Sequence, residues 1–332
     1  MNGELDLNSV DRILDRTVAL GYGWPGYVAR RRWWPADPAP DSLVDQRVLI
    51  TGATSGIGRA AAARCAALGA TVHLLGHNTA RATEALQWLA AQVPAGRFEL
   101  ELCDLQSLAD VRRFADDFAT QHDSLDALAH NAGVYSEHRQ ETPEGHERTY
   151  GVHVLAPHLL NHALAPLLSR APAPRVVVMS SGGMYAQRLT DDVEFRDDSY
   201  SGTAAYARTK RMQVVLAHMW AYRLADAGVA VHAMHPGWVD TPGVRTYLST
   251  FRALTRPVIR TPEQGADTMV WLLATRRTTP WSGAFWHDRA PRPVHYSRRT
   301  VETRADRDRF MARCDGAVAT FFERTEATGR RR

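Results

Sequence analysis

The sequence contains almost no lysine. Of its 332 residues, 40 are Lys or Arg, and 39 of these are arginine, which leaves Lys210 as the single lysine. A solvated surface accepts either residue, whereas a site that needs a compact ammonium group with rotatable donors requires lysine. The absence of lysine elsewhere therefore makes Lys210 the first candidate for a specific chemical role.

Long apolar runs and paired cysteines are also lacking. The sequence has no stretch of about 18 apolar residues, the length that a membrane-spanning helix requires. Its N-terminus lacks the apolar segment of a secretory signal. Three cysteines lie far apart without metal-ligand spacing, namely Cys65, Cys103 and Cys314. We therefore expect a cytoplasmic protein without a metal site.

The small net charge of +4 is unevenly distributed. Residues 288–332 contain 12 Arg and 7 Asp or Glu, so this segment contributes +5 and the remaining chain −1. Its arginines alternate with acidic residues, as on a solvated helix face. The rest of the chain lacks the basic excess that is typical of nucleic-acid binding. We expect an exposed basic tail and no nucleic-acid partner.

Short β-branched runs alternate with longer helical stretches from residue 47 onward. The predicted strands cover residues 48–50, 71–75, 98–102, 125–129, 175–179, 229–234 and 283–287. The predicted helices cover residues 57–68, 79–91, 107–119, 144–168, 204–226, 262–274 and 301–323. This alternation is typical of βαβ units, so we predict an α/β fold with a Rossmann-type, doubly wound parallel sheet of about seven strands.

The same pattern predicts one domain with two appendages. Residues 1–44 form an N-terminal extension that ends in a proline-containing linker. Residues 45–290 form a single Rossmann-type domain. Residues 291–332 form the basic, helical C-terminal tail.

A glycine-rich turn joins the first predicted strand to the first helix of the domain. Residues 51–58 read Thr-Gly-Ala-Thr-Ser-Gly-Ile-Gly. Gly52 makes the turn tight, Gly56 allows close approach of phosphates, and Gly58 lets helix and strand pack. Backbone N–H groups and a helix N-terminus then face a pyrophosphate. The predicted phosphate-binding residues are Gly52, Thr54, Ser55, Gly56, Ile57 and Gly58.

Five motifs in register resemble the short-chain dehydrogenase/reductase family. They are residues 51–58, Asn131-Ala132-Gly133, Ser180-Ser181, Tyr206 with Lys210, and His235-Pro236-Gly237. The resemblance covers about residues 45–290, and residues 179–184 and 234–244 are similar to the subgroup around dehydrogenase/reductase member twelve. It implies hydride transfer between a nicotinamide cofactor and an alcohol or carbonyl carbon.

The resemblance implies a Ser-Tyr-Lys site. A phenol is a poor base at neutral pH, and a cation at i+4 favours the phenolate, so Tyr206 is the expected acid/base and Lys210 its partner. Ser181 is expected to orient the substrate oxygen, with Ser180 as the near alternative. His153 stands where the family usually has an asparagine that holds a water for proton relay. An imidazole with a pKa near 6.5 suits a relay; the alternative is an altered or inactive site.

The cofactor is expected to contact four further segments. Asn131, Ala132 and Gly133 follow the fourth strand, and Asp104 and Leu105 follow the third, where the family contacts adenine. Pro236, Gly237, Val239 and Thr241 are expected beside the nicotinamide and pyrophosphate, and His77, Asn78 and Arg81 follow the second strand. Because no carboxylate stands there to bind a ribose 2′-hydroxyl, NADP(H) is favoured over NAD(H).

The resemblance also suggests the partners. Met184, Tyr185, Trp238, Tyr247 and Phe251 are expected to form an apolar pocket for a lipophilic alcohol, aldehyde or ketone. The aromatic residues within 24–34 pack on the domain or make weak peripheral contact with a membrane. Helices at 144–168 and 204–226 form homodimer faces in the family. A cofactor-binding sensor or scaffold on the same fold is the alternative to an enzyme.

Overall fold

Seven parallel strands form the central sheet, and one short antiparallel strand extends its edge. The computed structural model describes residues 7–196 and 199–329. In this part of the chain the strand order is β3-β2-β1-β4-β5-β6-β7-β8. The strands are β1 Arg47–Thr51, β2 Thr71–Gly76, β3 Arg97–Leu102, β4 Ala127–His130, β5 Arg175–Met179, β6 Ala230–Met234, β7 Phe285–His287 and β8 Ala290–Pro291. The predicted Rossmann-type fold is confirmed.

Strand β8 is absent from the sequence prediction. It pairs antiparallel with β7 through Trp286↔Pro291 and His287↔Ala290. The turn between the strands places Asp288 and Arg289 at positive φ, an uncommon conformation for residues other than glycine. A strand of two residues has no alternation that a sequence pattern could reveal.

The helices lie where the apolar periodicity predicts them, with additional helices in the N-terminal extension and before residue 262. They are α1 Leu7–Arg16, α2 Val18–Tyr22, α3 Trp24–Arg30, α4 Gly56–Ala67, α5 Thr79–Gln92, α6 Leu108–Gln121, α7 Arg148–Tyr150, α8 Ala156–Leu168, α9 Gly202–Arg223, α10 Pro242–Tyr247, α11 Ser249–Thr255, α12 Pro262–Ala274 and α13 Arg304–Gly329. A π-helical turn, Gly151–Leu155, joins α7 to α8. None of the helices in the described residues is both long and apolar enough to span a bilayer.

Both faces of the sheet are covered, because its central strands are predominantly apolar. Strands β4, β5 and β6 are buried at every residue. One apolar cluster gathers side chains of α6, α8, α9 and α13, and the other gathers those of α4 and α12. These two layers fix the carboxyl ends of the strands, where the candidate site lies.

The N-terminal extension docks on the domain through a buried ion network. Arg30 donates to Asp288 Oδ2 at 2.8 Å and to the Gly21 carbonyl at 2.8 Å. Arg260 donates to Asp288 Oδ1 at 2.6 Å, and both guanidinium groups hold the pKa of Asp288 well below its usual range despite burial. Trp34 packs on Arg289. Part of the aromatic segment within residues 24–34 therefore packs on the domain, which was one of the two alternatives expected for this segment.

Helix α13 is only partly the exposed basic tail that the charge pattern predicts. Its inner face is buried in the core through residues spaced at helical intervals: Phe310, Met311, Cys314, Val318 and Phe321. Asp315 pairs with Arg223 of α9 at 2.6 Å. The expectation of a solvated tail was wrong for this face, since the alternating charges describe only the outer one.

Candidate active site

The glycine turn lies where the strand order reverses, between β1 and β4, which is the ligand crevice of doubly wound sheets. Gly52 has φ +65°, and a Cβ there would lie 2.8 Å from Ala132 Cα. A Cβ on Gly58 would lie 2.3 Å from the Gly52 carbonyl oxygen and 2.5 Å from Asn131 Nδ2. Glycine is therefore required at both positions for the turn to close against β4.

The start of α4 fits an anionic group. Among the described residues, no side chain caps this helix N-terminus. Its first N–H groups therefore remain available as hydrogen-bond donors to another acceptor. The helix dipole adds positive character there. Thr241, predicted near the pyrophosphate, lies across from Gly56, whose ideal Cβ would be 3.5 Å from Thr241 Cγ2. These features suit the diphosphate of a dinucleotide.

Other predicted cofactor residues pack around this turn. Thr54 abuts Gly76, where an added Cβ would lie 2.7 Å from Thr54 Cγ2. Ile57 and Val239 meet over Gly265, where an added Cβ would lie 3.3 Å and 2.6 Å from their side chains. The structure thus brings the predicted residues of the first and sixth strand ends together.

Asn131 ties β4 to the glycine turn. Its amide Nδ2 donates to the carbonyls of Thr51 at 2.9 Å and Gly52 at 3.2 Å. The backbone N–H groups of Asn131 and Ala132 both donate to Thr51 Oγ1 at 3.0 Å. A Cβ on Gly133 would lie 3.3 Å from His153 Nε2. This segment therefore links the glycine turn to the π-helical turn that contains His153.

The residues that were predicted to contact the adenosine part of the cofactor follow β2 and β3, and they fall into two groups. His77 and Arg81 are exposed, whereas the Asn78 side chain caps α5 by accepting from the Arg81 N–H at 3.0 Å. Asp104 Oδ1 accepts from the Gln106 N–H at 3.0 Å, and Leu105 is buried in the core. The side chains of Asn78 and Leu105 thus have structural partners, and those of His77 and Arg81 face solvent.

Lys210 is almost completely buried, at 2% exposure. Its Nζ donates to the Met179 carbonyl and to Gln213 Oε1, both at 2.9 Å. Nζ lies 5.4 Å from the centroid of the Tyr206 ring, one turn earlier in α9. Because burial penalises the charged form, the pKa of Lys210 is lowered to about 7. Two of the three ammonium donors have neutral partners, which leaves one donor available for a further acceptor.

Tyr206 has Ser181 as its hydrogen-bond partner. Burial raises the pKa of Tyr206 above 10, and the hydrogen bond from Ser181 lowers it by a smaller amount. The buried Ser180 instead donates its hydroxyl proton to the Lys210 carbonyl at 2.7 Å. Of the two serines, the structure therefore places Ser181 at the phenol. The net pKa of Tyr206 therefore lies above its usual value, which is the opposite of the lowering expected from a cation at i+4.

His153 occupies the π-helical turn between α7 and α8, with both ring nitrogens bonded. Nε2 accepts from the Val134 N–H at 2.9 Å, and Nδ1 lies 2.9 Å from Thr209 Oγ1. Thr209 donates its hydroxyl proton to the Tyr206 carbonyl, so its oxygen accepts from Nδ1–H. Burial, with the nearby Lys210 charge, holds the pKa of His153 well below 6.5. The expected pKa near 6.5 was therefore wrong: the imidazole is neutral and fixes the β4 loop to α9.

The loop after β6 is anchored by the N-terminal extension. The Trp238 N–H donates to the Tyr22 carbonyl at 2.8 Å, and the Arg260 N–H donates to the Trp238 carbonyl at 2.7 Å. Gly237 has φ +80°, and a Cβ there would lie 2.4 Å from the Tyr22 carbonyl oxygen. Pro236 accepts from Arg260 Nη1 at 3.2 Å. The extension thus shapes the loop predicted to bind nicotinamide.

The comparison with known proteins agrees with this geometry. Residues 46–250 match the family model described as short chain dehydrogenase. The chain belongs to this family. Dehydrogenase/reductase SDR family member 12 of Bos taurus is 37% identical over 278 residues, which cover 82% of this chain and 86% of that protein. Retinol dehydrogenase 14 of Homo sapiens is 32% identical, with 75% of this chain and 80% of that protein covered.

Solved short-chain dehydrogenases share the fold. A structure from Beutenbergia cavernae, described as an NAD(P)-dependent gluconate 5-dehydrogenase with NADP bound at low occupancy, has a TM-score of 0.60 and 26% identity. It covers 74% of this chain and 96% of that one. The predicted family resemblance is confirmed, and the protein is an NAD(P)-dependent oxidoreductase of alcohol or carbonyl groups.

The predicted substrate pocket of this short-chain dehydrogenase divides into two groups. Trp238 and Phe251 meet at 5.2 Å between ring centroids, and Tyr247 lies 5.5 Å from Tyr135. Met184 is instead completely buried and accepts from Arg211 at 3.3 Å through its sulfur. The Tyr185 hydroxyl donates to the Pro293 carbonyl at 2.7 Å, and its ring packs on β7. Among these residues, Tyr247 is linked to Tyr206 through Tyr135, whose ring lies 6.4 Å from that of Tyr206.

Two residues of the dehydrogenase site escaped the sequence prediction. Tyr135 lies 6.4 Å from the ring of Tyr206, and the completely buried Gln213 links Lys210 to the His153 carbonyl, to which its Nε2 donates at 3.0 Å. A sequence signal for Gln213 exists, since it lies three residues after Lys210 and is polar within an apolar helical stretch. Tyr135 lies four residues after Asn131 in the sequence.

Proposed function

We propose that this protein is an NADP(H)-dependent dehydrogenase/reductase of lipophilic alcohols and carbonyls that uses a Ser181-Tyr206-Lys210 site. The supporting observation is the set of contacts at the end of β5, where Tyr206 is hydrogen-bonded to Ser181 and flanked by the buried Lys210. Bound NADP(H) supplies or accepts the hydride. The chain's own residues position the substrate oxygen and exchange its proton.

In this proposal each side chain has one task. Tyr206 gives its hydroxyl proton to the carbonyl oxygen in reduction and takes it back in oxidation. Ser181 donates to the same oxygen and keeps it near the phenol. Lys210, held by Met179 and Gln213, stabilises the phenolate when its ammonium is charged. His153 is neutral and orients α9 rather than moving a proton.

The preference for NADP(H) rests on the end of β2. Exposed His77 and Arg81 provide groups for a 2′-phosphate, and residues 77–81 contain no carboxylate that would repel it. The similar structure from Beutenbergia cavernae holds NADP. Comparing kcat/KM for NADPH and NADH tests the assignment, and a clear NADH preference would overturn it.

The proposal of a lipophilic substrate is supported by the apolar side chains near Tyr206. Tyr135 and Tyr247 form a chain of ring contacts from Tyr206, and Trp238 packs on Phe251 in the segment after β6. A similar protein is named retinol dehydrogenase. The test is a series of aldehydes of increasing chain length, for which kcat/KM should rise with length. A preference for short, polar carbonyls would contradict the proposal. The homodimer and the membrane contact stay predictions.

The decisive experiment is Tyr206→Phe. NADPH oxidation with a lipophilic aldehyde should fall at least about 100-fold, because the proton donor is lost, while NADPH binding persists. Tyr222→Phe is the matched control, since Tyr222 lies on the same helix and is 71% exposed. Turnover by Tyr206→Phe at the wild-type rate would refute the site. Cofactor binding without turnover across the panel would favour the sensor alternative.

A further inference from the structure

Two histidines and two glutamates converge at the β3 edge of the sheet, outside the glycine turn and the Ser181-Tyr206-Lys210 group. They are His73, Glu99, Glu101 and His122, and one nitrogen or oxygen from each lies within 4.8 Å of all the others. His73 Nδ1 is 2.9 Å from Glu101 Oε1 and 3.6 Å from Glu99 Oε2. This set combines two imidazole nitrogens with two carboxylate oxygens.

The fold explains why these residues meet. His73 of β2 pairs in register with Glu99 of β3. Alternate residues of a strand point to the same face, so Glu101 joins them on that face. Helix α6 covers this face and ends at Gln121, which brings His122 beside the strands. The rings of His73 and His122 lie 4.8 Å apart, and Phe118 packs against both.

Two imidazole nitrogens of the cluster have no hydrogen-bond partner among the described residues. His73 is completely buried. Nε2 of His73 and Nε2 of His122 are both shielded from solvent, and neither has a hydrogen-bond partner among residues 7–196 and 199–329. A buried polar atom without a partner costs about 1–3 kcal/mol, and such atoms are uncommon in native proteins. The contact between His73 Nδ1 and Glu101 Oε1 accounts for one imidazole nitrogen only.

The local charge favours a cation. Glu99 and Glu101 bring two carboxylates to the cluster. Arg47 is the opposing positive charge, and its Nη1 is held by the Ser124 carbonyl at 2.8 Å. Two carboxylates against one guanidinium leave the cluster with an excess negative charge.

We propose that His73, Glu99, Glu101 and His122 bind one zinc-type divalent metal ion, which clamps β2, β3 and α6 together. Imidazole and carboxylate ligands suit Zn²⁺. Tetrahedral coordination at about 2.1 Å places ligand atoms about 3.4 Å apart. The ligand atoms now lie within 4.8 Å of one another, and small side-chain rotations bring them to this spacing. Glu99 has room to rotate because its side chain is 52% exposed. The role is structural and independent of hydride transfer.

The test is a Zn²⁺ titration of the full chain after chelator treatment, followed by calorimetry. The wild type should bind one equivalent, and its melting temperature should rise on addition of Zn²⁺. Glu101→Gln and His122→Ala should each weaken binding at least about tenfold, since changes even beyond the ligands cost that much. Glu137→Gln and His138→Ala, which replace exposed residues of the same types, are matched controls that should bind as the wild type does.

Co²⁺ provides a second readout that does not depend on activity. Tetrahedral Co²⁺ at this site should give visible absorption bands that are lost in His122→Ala. Glu99→Gln, at the most exposed ligand, serves if another variant fails to fold. A wild type that binds no equivalent of Zn²⁺ would overturn the proposal. Binding that is equally tight in the ligand variants and the controls would also overturn it, since the ion would then lie elsewhere.

Discussion

The titration of Lys210 should be visible in the stability of the whole protein. Burial lowers the pKa of Lys210 from 10.5 to about 7 in the folded state. Between these two pH values the unfolded chain keeps the proton that the folded chain has lost. Stability therefore rises with pH across this window, because the unfolded state binds more protons. Below pH 7 both states are charged, and the cost of burying the ammonium is fully present.

The size of this effect follows from the two pKa values. At about 1.36 kcal/mol for each pH unit, the free energy of unfolding should gain about 5 kcal/mol between pH 7 and pH 10.5 from Lys210 alone. Other groups titrate in the same range, so the quantity to measure is the difference between the wild type and Lys210→Met. That variant keeps the apolar stem and removes the titration.

Urea unfolding of both proteins at several pH values from 6 to 10 is the assay. The wild type should gain stability relative to Lys210→Met with a slope of about 1.4 kcal/mol for each pH unit above 7. Because the chain has one lysine, selective ¹⁵N-lysine labelling also gives a single side-chain signal whose pKa is read directly by NMR. A flat stability difference, with a lysine pKa near 10.5, would refute the burial argument.

Substitutions at four positions further test the site. Gln213→Leu removes an acceptor of Lys210 and should lower kcat more than it raises KM. Gln213→Glu keeps an acceptor and should retain more activity. Steady-state kinetics of the two variants test this difference. His153→Asn should cost about 1–3 kcal/mol of stability in urea unfolding, because the Val134 N–H loses its partner, with His162→Asn as the exposed control. His77→Asp should shift the kcat/KM ratio at least about tenfold towards NADH, equal to about 1.4 kcal/mol. Lys210→Arg should abolish NADPH oxidation and lower the melting temperature.

The fold was predictable because its signals are local. Apolar runs of strand length, a glycine turn and an i, i+4 pair each lie within a few residues of sequence, and Tyr206 and Lys210 meet on α9 for that reason. The state of His153 was not predictable. Its low pKa depends on burial between the β4 loop and α9, and its partners Val134 and Thr209 lie 19 and 56 residues away.

Contacts between distant segments were equally hidden. The pairing of His73 with Glu99 requires the register of β2 against β3. The anchoring of Trp238 by the Tyr22 carbonyl requires the docked N-terminal extension. Periodicity says which face of an element is apolar, but it does not say which other element covers that face. For the same reason it does not show that Met184 bonds Arg211 while Trp238 packs on Phe251.

The nearly exclusive use of arginine explains what is different about Lys210. Several buried arginines meet carboxylates: Arg30 and Arg260 bond Asp288, Arg211 bonds Glu302 at 2.6 Å, and Arg289 bonds Asp267 at 2.8 Å. Lys210 is buried to the same degree, but its bonded acceptors are a carbonyl and an amide oxygen. A guanidinium at this position could not lose its proton and would remain a buried charge without a counter-ion. An amine can titrate near neutral pH instead, and a group that changes charge beside Tyr206 is what proton transfer at a phenol requires.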